Sequence, residues 1–481
     1  MGTVMPTDTA RPSAAHEWGL IVAMTVCAHP IAFLCGLALM GVSGFVGDWG
    51  LLAPPIAWVV FGLVTAVTHR DQLPGRAIRP ADEPELTALV RTVAERLNFR
   101  TPLLVRLVPV PEAALFATKV AGVRVFVLVL GWPLLRRLTA AQLAAMVAHE
   151  LAHELHVVDR RTSWLLAARG SLAESLDNWV HVPAAVAGTM LRATQGRSWD
   201  LETAADASST EVAGSSAVRS ALQQGGSIGA AFEILGEKWT STLAEDGSYP
   251  QDLYDALDAA LDDPYLARLA ASASKAADAE DAMDPYAVAT HPPVATRVAA
   301  VPERSGGDWD PDRPVPIRTR EALDQWCIQE LVGPDEGMRP VRVLDFAPEH
   351  FDAPVDEAYT ALVDATGSES VPGAMSAAVD AIAAGSWMQL ARAIEPEISS
   401  VPPALLPAIS RDVIVGCLGR AVSGLLLDAG WHRASRWMTS VLVSPEGEDL
   451  DVAELIERTV DGADPESLRS LLALNDPQAI A

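Results

Sequence analysis

The stretch Thr139–Val157, TAAQLAAMVAHELAHELHV, decides how the chain is read. Thr139 and Gln142 have the spacing of a capping box, and the small and apolar residues that follow contain no helix breaker, so a helix is expected to about Val158. Within it His149 and His153 stand four residues apart and share one helical face, where two imidazoles can bind a single metal ion. Glu150 is rotated by about 100° from His149, beside the ion rather than on it. There it can take a proton from an attacking water and later hand it to a leaving amine. Two neutral imidazoles plus a carboxylate leave one open position, the pattern of catalytic zinc sites. The competing reading is a helix with a solvated glutamate and two incidental histidines. Val147, Ala148, Leu151 and Ala152 instead make the helix buried, where unpartnered polar groups are costly.

Two further motifs follow downstream. Trp199–Asp206 (WDLETAAD) places Glu202 and Asp206 four apart on one helical face. Glu202 can complete the metal site while Asp206 accepts a hydrogen bond from a ligand imidazole, a contact that fixes tautomer and orientation. Ala204 and Ala205 are small enough to let this helix approach the first closely. In an acidic chain such a pair alone is more often a solvated face; downstream of His149-Glu150-Leu151-Ala152-His153 it acquires meaning. The third motif is His291-Pro292-Pro293-Val294-Ala295-Thr296-Arg297.

With these motifs in this order, about residues 15–302 resemble the integral-membrane zinc metallopeptidases typified by HtpX and the CAAX prenyl protease. The resemblance implies a zincin-type core, one zinc ion per chain held by His149, His153 and Glu202, and Glu150 as the general base. It makes Asp206 the residue that orients a ligand, and His291 a candidate for holding the substrate carbonyl or the oxyanion. A His291 that caps the helix opened by Pro292-Pro293 is the alternative. Arg297 reads as a structural ion-pair partner, and Asp159 suits the family's continuation. Val123–Leu130 is expected to be the exposed strand edge to which an extended polypeptide substrate adds. Before it, Ala114-Leu115-Phe116-Ala117 stands where the family has Asn-Ala-Phe-Ala, so one polar group that could touch a substrate is lost. Charged residues between His153 and Glu202 leave no room for further spans there, which disfavours prenylated peptides as substrates. Trp179–Leu191 reads as a cleft wall or a membrane-facing flap.

The rest of the chain supplies context. Its 481 residues suggest about three domains' worth of chain. Lys and Arg number 35 against 62 Asp and Glu, for a net charge of −27, yet mean hydropathy is +0.20. The apolar excess is localised in Gly19–Val46 and Leu51–Thr68, which carry no Asp, Glu, Lys or Arg and are joined by Gly47-Asp48-Trp49-Gly50. They are long enough to read as a transmembrane hairpin. Arg11 precedes it and Arg70, Arg76 and Arg79 follow it, so positive-inside logic puts everything after residue 70 in the cytoplasm, at the cell (inner) membrane. The acidity excludes nucleic acid as a partner, and four cysteines, two of them in the apolar stretch, exclude a disulfide framework.

Glu83–Phe99 reads as an amphipathic helix, and Leu103–Val110 and Val123–Leu130 as strands. The expected fold class is therefore mainly α with a small β-sheet (α+β). The expected division is a membrane anchor over 1–70, a zinc metallopeptidase domain over 71–303, a linker over 304–319 and an acidic helical domain over 320–481. That last part holds ten Arg, no Lys and 27 acids, and is a candidate surface for a protein partner or self-association. The function expected is a membrane-anchored zinc endopeptidase acting on misfolded membrane proteins or a dedicated precursor. Its rival is a latent or non-catalytic zinc-binding membrane scaffold whose C-terminal domain binds a partner. Against the scaffold, structural zinc sites are usually closed by four ligands, mostly Cys and His, and no cysteine lies near these motifs.

Overall fold

A computed structural model of the protein describes residues 14–29, 73–120, 122–157, 160–176, 183–283, 291–333, 337–351, 354–401 and 405–474. The expected span Leu51–Thr68, most of Gly19–Val46, Asp159 and the first residues of Trp179–Leu191 lie outside them. Among the described residues no helix is long and apolar enough to cross a membrane. The chain is mainly helical with small sheets, as the patterning implies, and it groups into two compact units. One comprises Met1–Phe232 and Ala270–Pro334, the other Glu233–Leu269 and Asp335–Ala481.

The first unit begins with α1 (Ala14–Ala28), whose Ile21, Met24 and Ala28 are buried in a cluster with Leu165, Leu172 and Leu191. A four-stranded sheet follows: β1 (Arg76–Ala77), then α2 (Pro84–Arg96), β2 (Leu103–Val108), β3 (Ala113–Val120) and β4 (Val123–Gly131). The spatial order is β1-β2-β4-β3, with β2 and β4 parallel and β3 and β4 an antiparallel hairpin. Val123–Leu130, expected at the edge, is thus paired on both sides, and the edge belongs to Ala113–Val120. The physical reason is the short connection from Val120 to Val123, with Gly122 at φ +81°, which folds β3 back onto β4.

Next come α3 (Trp132–Arg137), α4 (Ala140–His156), α5 (Arg160–Ser175), α6 (Ala184–Ala213) and α7 (Ser215–Ala231). The helix α4 starts where the capping box predicts: Gln142 N–H donates to Thr139 Oγ1 at 3.3 Å and Thr139 N–H to Gln142 Oε1 at 2.8 Å. The N–H groups of Ala140 and Ala141, orphaned at a helix start, donate to the carbonyls of Arg313 at 2.8 Å and Asp310 at 3.0 Å.

Those carbonyls belong to the segment expected as a free linker. Instead of a spacer, 302–319 is a strap on the first unit. Ser215 Oγ donates to Pro302 O at 2.6 Å, and Trp309 Nε1 donates to Val212 O at 3.3 Å. Gly214, at φ +89°, lies so close to the strap that a Cβ on it would collide with Gly306 Cα. At the far end the buried Glu83 carboxylate accepts the N–H groups of Arg318 (2.7 Å) and Thr319 (2.8 Å). A Pro- and Gly-rich composition marks irregular backbone, and here helix ends pair with part of that backbone.

The second unit contains α8 (Lys238–Glu245), β5 (Ser248–Pro250), α9 (Leu253–Leu261) and the start of α10 (Pro264–Met283). After α11 (Val294–Ala300) and α12 (Arg320–Val332) of the first unit, the chain returns to it with β6 (Arg339–Val341), parallel to β5. There follow α13 (Val355–Thr366), α14 (Val371–Ala383), α15 (Trp387–Ile394) and α16 (Leu406–Asp428). The short meander β7 (His432–Arg433), β8 (Val441–Val443), β9 (Asp449–Asp451) and the helices α17 (Val452–Val460) and α18 (Glu466–Leu474) complete it. Leu362, Met375, Ile414, Leu418, Leu426 and Ile456 form its apolar core around α16. The division therefore differs from the one expected at 304–319: 233–269 groups with the last third, and 304–334 with the first unit.

Candidate active site

The helices α4 and α6 pack along each other, and Ser209 Oγ on α6 donates to the Ala145 carbonyl of α4 at 2.6 Å. That approach is possible because Ala144, Ala148 and Ala205, all fully buried, are small. It brings the first two motifs together. His149, His153 and Glu202 present one nitrogen or oxygen each, all within 4.8 Å of one another. His149 Nε2 and His153 Nε2 are 3.0 Å apart, with rings nearly perpendicular at 89°. Glu202 Oε2 lies 3.4 Å from His149 Nε2, and Oε1 3.2 Å from His153 Nε2.

The residues fit a metal ion. His149 Nδ1 is 2.9 Å from Asp206 Oδ1, so Nδ1 keeps a proton toward that carboxylate and Nε2 is the nitrogen turned to the cluster, where a metal ion would take its lone pair. Glu202 Oε2 is buried, with close neighbours but no well-directed hydrogen-bond donor, which in a folded interior calls for another partner. Two imidazole nitrogens and a carboxylate form a donor set suited to zinc.

Electrostatics tie the cluster together. Burial by itself would lower the His149 pKa, but hydrogen bonds to Asp206 and Glu202 outweigh it and raise it to about 9. Burial pushes Glu202 up, yet His149, His153 and His291 hold it far below the usual carboxylate range. Asp206 is likewise lowered against its burial, by Arg297 and then His149. Glu150, one residue along α4 and half-buried, is raised by desolvation, with the neighbouring histidine charges opposing.

The third motif contributes from α11. Arg297 makes a bidentate pair with Asp206, Nε to Oδ2 at 2.9 Å and Nη2 to Oδ1 at 2.8 Å, and lies 3.5 Å from Glu202 Oε2. It is the ion-pair partner that the sequence reading anticipates. His291 places Nδ1 2.8 Å from Glu202 Oε2 while its side chain stays 59% exposed. It does not cap α11, whose N-cap is Pro293 with no side-chain cap bond. Two features escaped sequence reasoning. His156 Nε2 lies 2.8 Å from Ser208 Oγ of α6, an additional tie between the helices. The strand beside α4 is β3, and its sequence signal was Val120-Ala121-Gly122-Val123, a two-residue hairpin connection between apolar runs.

A helix carrying two histidines and a glutamate, joined by a glutamate from a second helix, is the layout of a metallopeptidase site. Residues 80–305, just under half of the chain, match the model of peptidase family M48, the family of HtpX and the CAAX prenyl protease, and over those residues the chain is similar to that family. Nothing among curated proteins or solved structures matches the chain. The match supports a metallopeptidase, a class of hydrolase that acts on polypeptides.

Proposed function

We propose that the protein is a zinc-dependent endopeptidase with a zincin-type core, anchored in the cell membrane with its site on the cytoplasmic side. The observation that carries this is the convergence of His149, His153 and Glu202 beside Glu150. One zinc ion held by those three residues would supply Lewis acidity to the scissile carbonyl and acidify water. Glu150 takes the proton of the attacking water and returns it to the leaving amine. Asp206 and Arg297 hold His149 and Glu202 in place. His291, tied through Nδ1 to Glu202 and otherwise open, is positioned to steady the oxyanion.

The substrate strand adds to β3. Gly131 N–H donates to Glu112 O at 2.6 Å; by the alternation of an antiparallel ladder, Ala114, Phe116 and Thr118 then turn their N–H and C=O groups toward β4. Leu115 and Ala117 turn theirs to the open edge, where an extended peptide can pair with them. Membrane attachment is supported by the apolar runs in 19–68 and by exposed apolar side chains on α1, α5 and α6, among them Trp18, Val22, Trp164 and Val186. Misfolded membrane proteins or a dedicated precursor are the substrates this placement favours.

The test is cleavage of an unstructured protein by detergent-purified, zinc-loaded enzyme, beside Glu150→Gln. The parent cuts, and the variant falls by at least about 10²-fold with zinc content unchanged. Silence from both at one zinc per chain would support a latent or scaffolding protein instead.

A further inference from the structure

The second unit contains a cavity of about 410 Å³ whose walls run against the unit's own composition. From residue 320 onward the chain has ten Arg, no Lys and 27 acids. The described residues around the cavity nevertheless include Lys238, Arg420 and Arg433 and no Asp or Glu. Arg420 makes no ion pair or hydrogen bond with any described residue. Lys238 is one of three lysines in the whole protein, and it comes from α8, brought here because 233–269 groups with the last third.

Three hydroxyl groups share the lining: Ser423 on α16, and Thr439 and Ser440 before β8. Val355, Val415, Leu427 and Ala453 give it an apolar wall. The space itself is made by absent side chains: around Gly416 the nearest atom a Cβ would meet is Arg420 Nη1 at 3.8 Å, and around Gly419 it is Ile456 Cδ1 at 3.9 Å. Neither glycine has a positive φ, so no backbone conformation calls for glycine there. In a helix interior glycine is less favourable than alanine.

We propose that this cavity binds a small organic phosphate. Its volume falls in the range of small-molecule sites, about 300–1,000 Å³. The Arg420 guanidinium fork matches the geometry of a phosphate, Arg433 and Lys238 add positive charge beside it, hydroxyl donors complete its hydrogen bonds, and the apolar wall takes the organic part. An acidic unit repels anions elsewhere on its surface, so the concentrated positive lining selects the place of entry. The site lies wholly within the second unit and is independent of the peptidase reading.

The test is isothermal titration calorimetry on the full-length protein at low salt, with inorganic pyrophosphate, adenosine 5′-diphosphate and citrate as probes. Saturable binding of both phosphates at one per chain is expected, with adenosine 5′-diphosphate the tighter. Arg420→Gln, at an exposed helical position, weakens both at least about tenfold, and Arg420→Lys restores part of the loss. Gly416→Leu, which fills the cavity without changing its charge, weakens the nucleotide more than pyrophosphate. No saturable binding below about 10 mM, binding untouched by both Arg420→Gln and Gly416→Leu, or binding of citrate alone would each overturn the proposal.

Discussion

Two arginines, one in each unit, face the same set of partners. Arg297 grips Asp206 with two bonds of 2.8 and 2.9 Å and lies 3.5 Å from Glu202. Arg411 grips Asp461 with two bonds of 3.0 and 3.2 Å and lies 3.4 Å from Glu457. The constellations are nearly superimposable in chemistry and opposite in environment. The side chains around Arg297 are 5–9% exposed, and those around Arg411 are 31–58% exposed. The contrast extends to the whole molecule. Of the buried Asp, Glu, Lys, Arg and His residues among those described, Glu83, Arg136, His149, Arg169, Glu202, Asp206 and Arg297 belong to the first unit, and Asp252 alone to the second. The first unit holds charges out of water and must satisfy each of them. The second keeps nearly all its charges at the surface and is held by an Ala-, Leu- and Val-rich core.

The largest expected effect follows from breaking the buried constellation. Asp206→Ala leaves the Arg297 guanidinium buried without its bidentate partner and His149 Nδ1 without its acceptor. Removal of one member of a buried pair costs about 3–5 kcal/mol, and loss of a residue that orients a metal ligand weakens metal affinity about 10–100-fold. Hydrogen exchange in α4 and α6 reads the first and zinc titration the second. Exchange and zinc affinity both at parental values would show that the buried network does not hold the site.

The matching experiment in the second unit removes apolar volume. Leu426 is fully buried in the core around α16, and Leu426→Ala is expected to cost about 2–5 kcal/mol, depending on how far the site collapses. Faster exchange should be confined to α13–α18, with zinc content and exchange in α4 unchanged. Loss of zinc in this variant would break the comparison, because it would mean that the two units are not stabilised separately.

The same contrast explains what could be read from the residues. The convergence of His149, His153 and Glu202 was legible because a metal site would impose spacing: His149 and His153 share a helical face, and Glu202 and Asp206 share another. The start of α4 was legible because its cap is local, between Thr139 and Gln142. The edge strand was not, because Val123–Gly131 is the more apolar of the two hairpin strands and drew attention that belonged to Ala113–Val120. Its apolarity reflects burial between β2 and β3, which is what a central strand shows. The strap was misread for a related reason: Pro and Gly announce irregular backbone but not what satisfies it. The regrouping of 233–269 had no signal, since helical periodicity is the same whichever unit a helix packs in.

A smaller effect is expected at the strand edge. Proline removes one N–H, so its consequence depends on where that N–H points. Ala117→Pro deletes a donor on the open edge of β3 and should raise KM for a peptide substrate roughly tenfold, the equivalent of about one hydrogen bond, with zinc retained. Thr118→Pro deletes a donor to β4 and should instead loosen the hairpin, read as faster exchange at Val125. Equal KM in parent and Ala117→Pro would rule out substrate addition at this edge.

The smallest effect returns to Arg411. Arg411→Ala removes the same number of contacts as would be lost at Arg297, but its partners Asp461 and Glu457 remain hydrated when the guanidinium goes. An exposed pair gains little Coulomb energy in water, loses side-chain entropy on forming, and is screened by salt. Destabilisation below about 1 kcal/mol is expected, shrinking further at high ionic strength, with exchange changed only where α16 and α17 meet. A loss as large as that of Asp206→Ala, or one insensitive to salt, would mean that exposure does not set the worth of these two arginines, and that the second unit depends on its surface charges as the first depends on its buried ones.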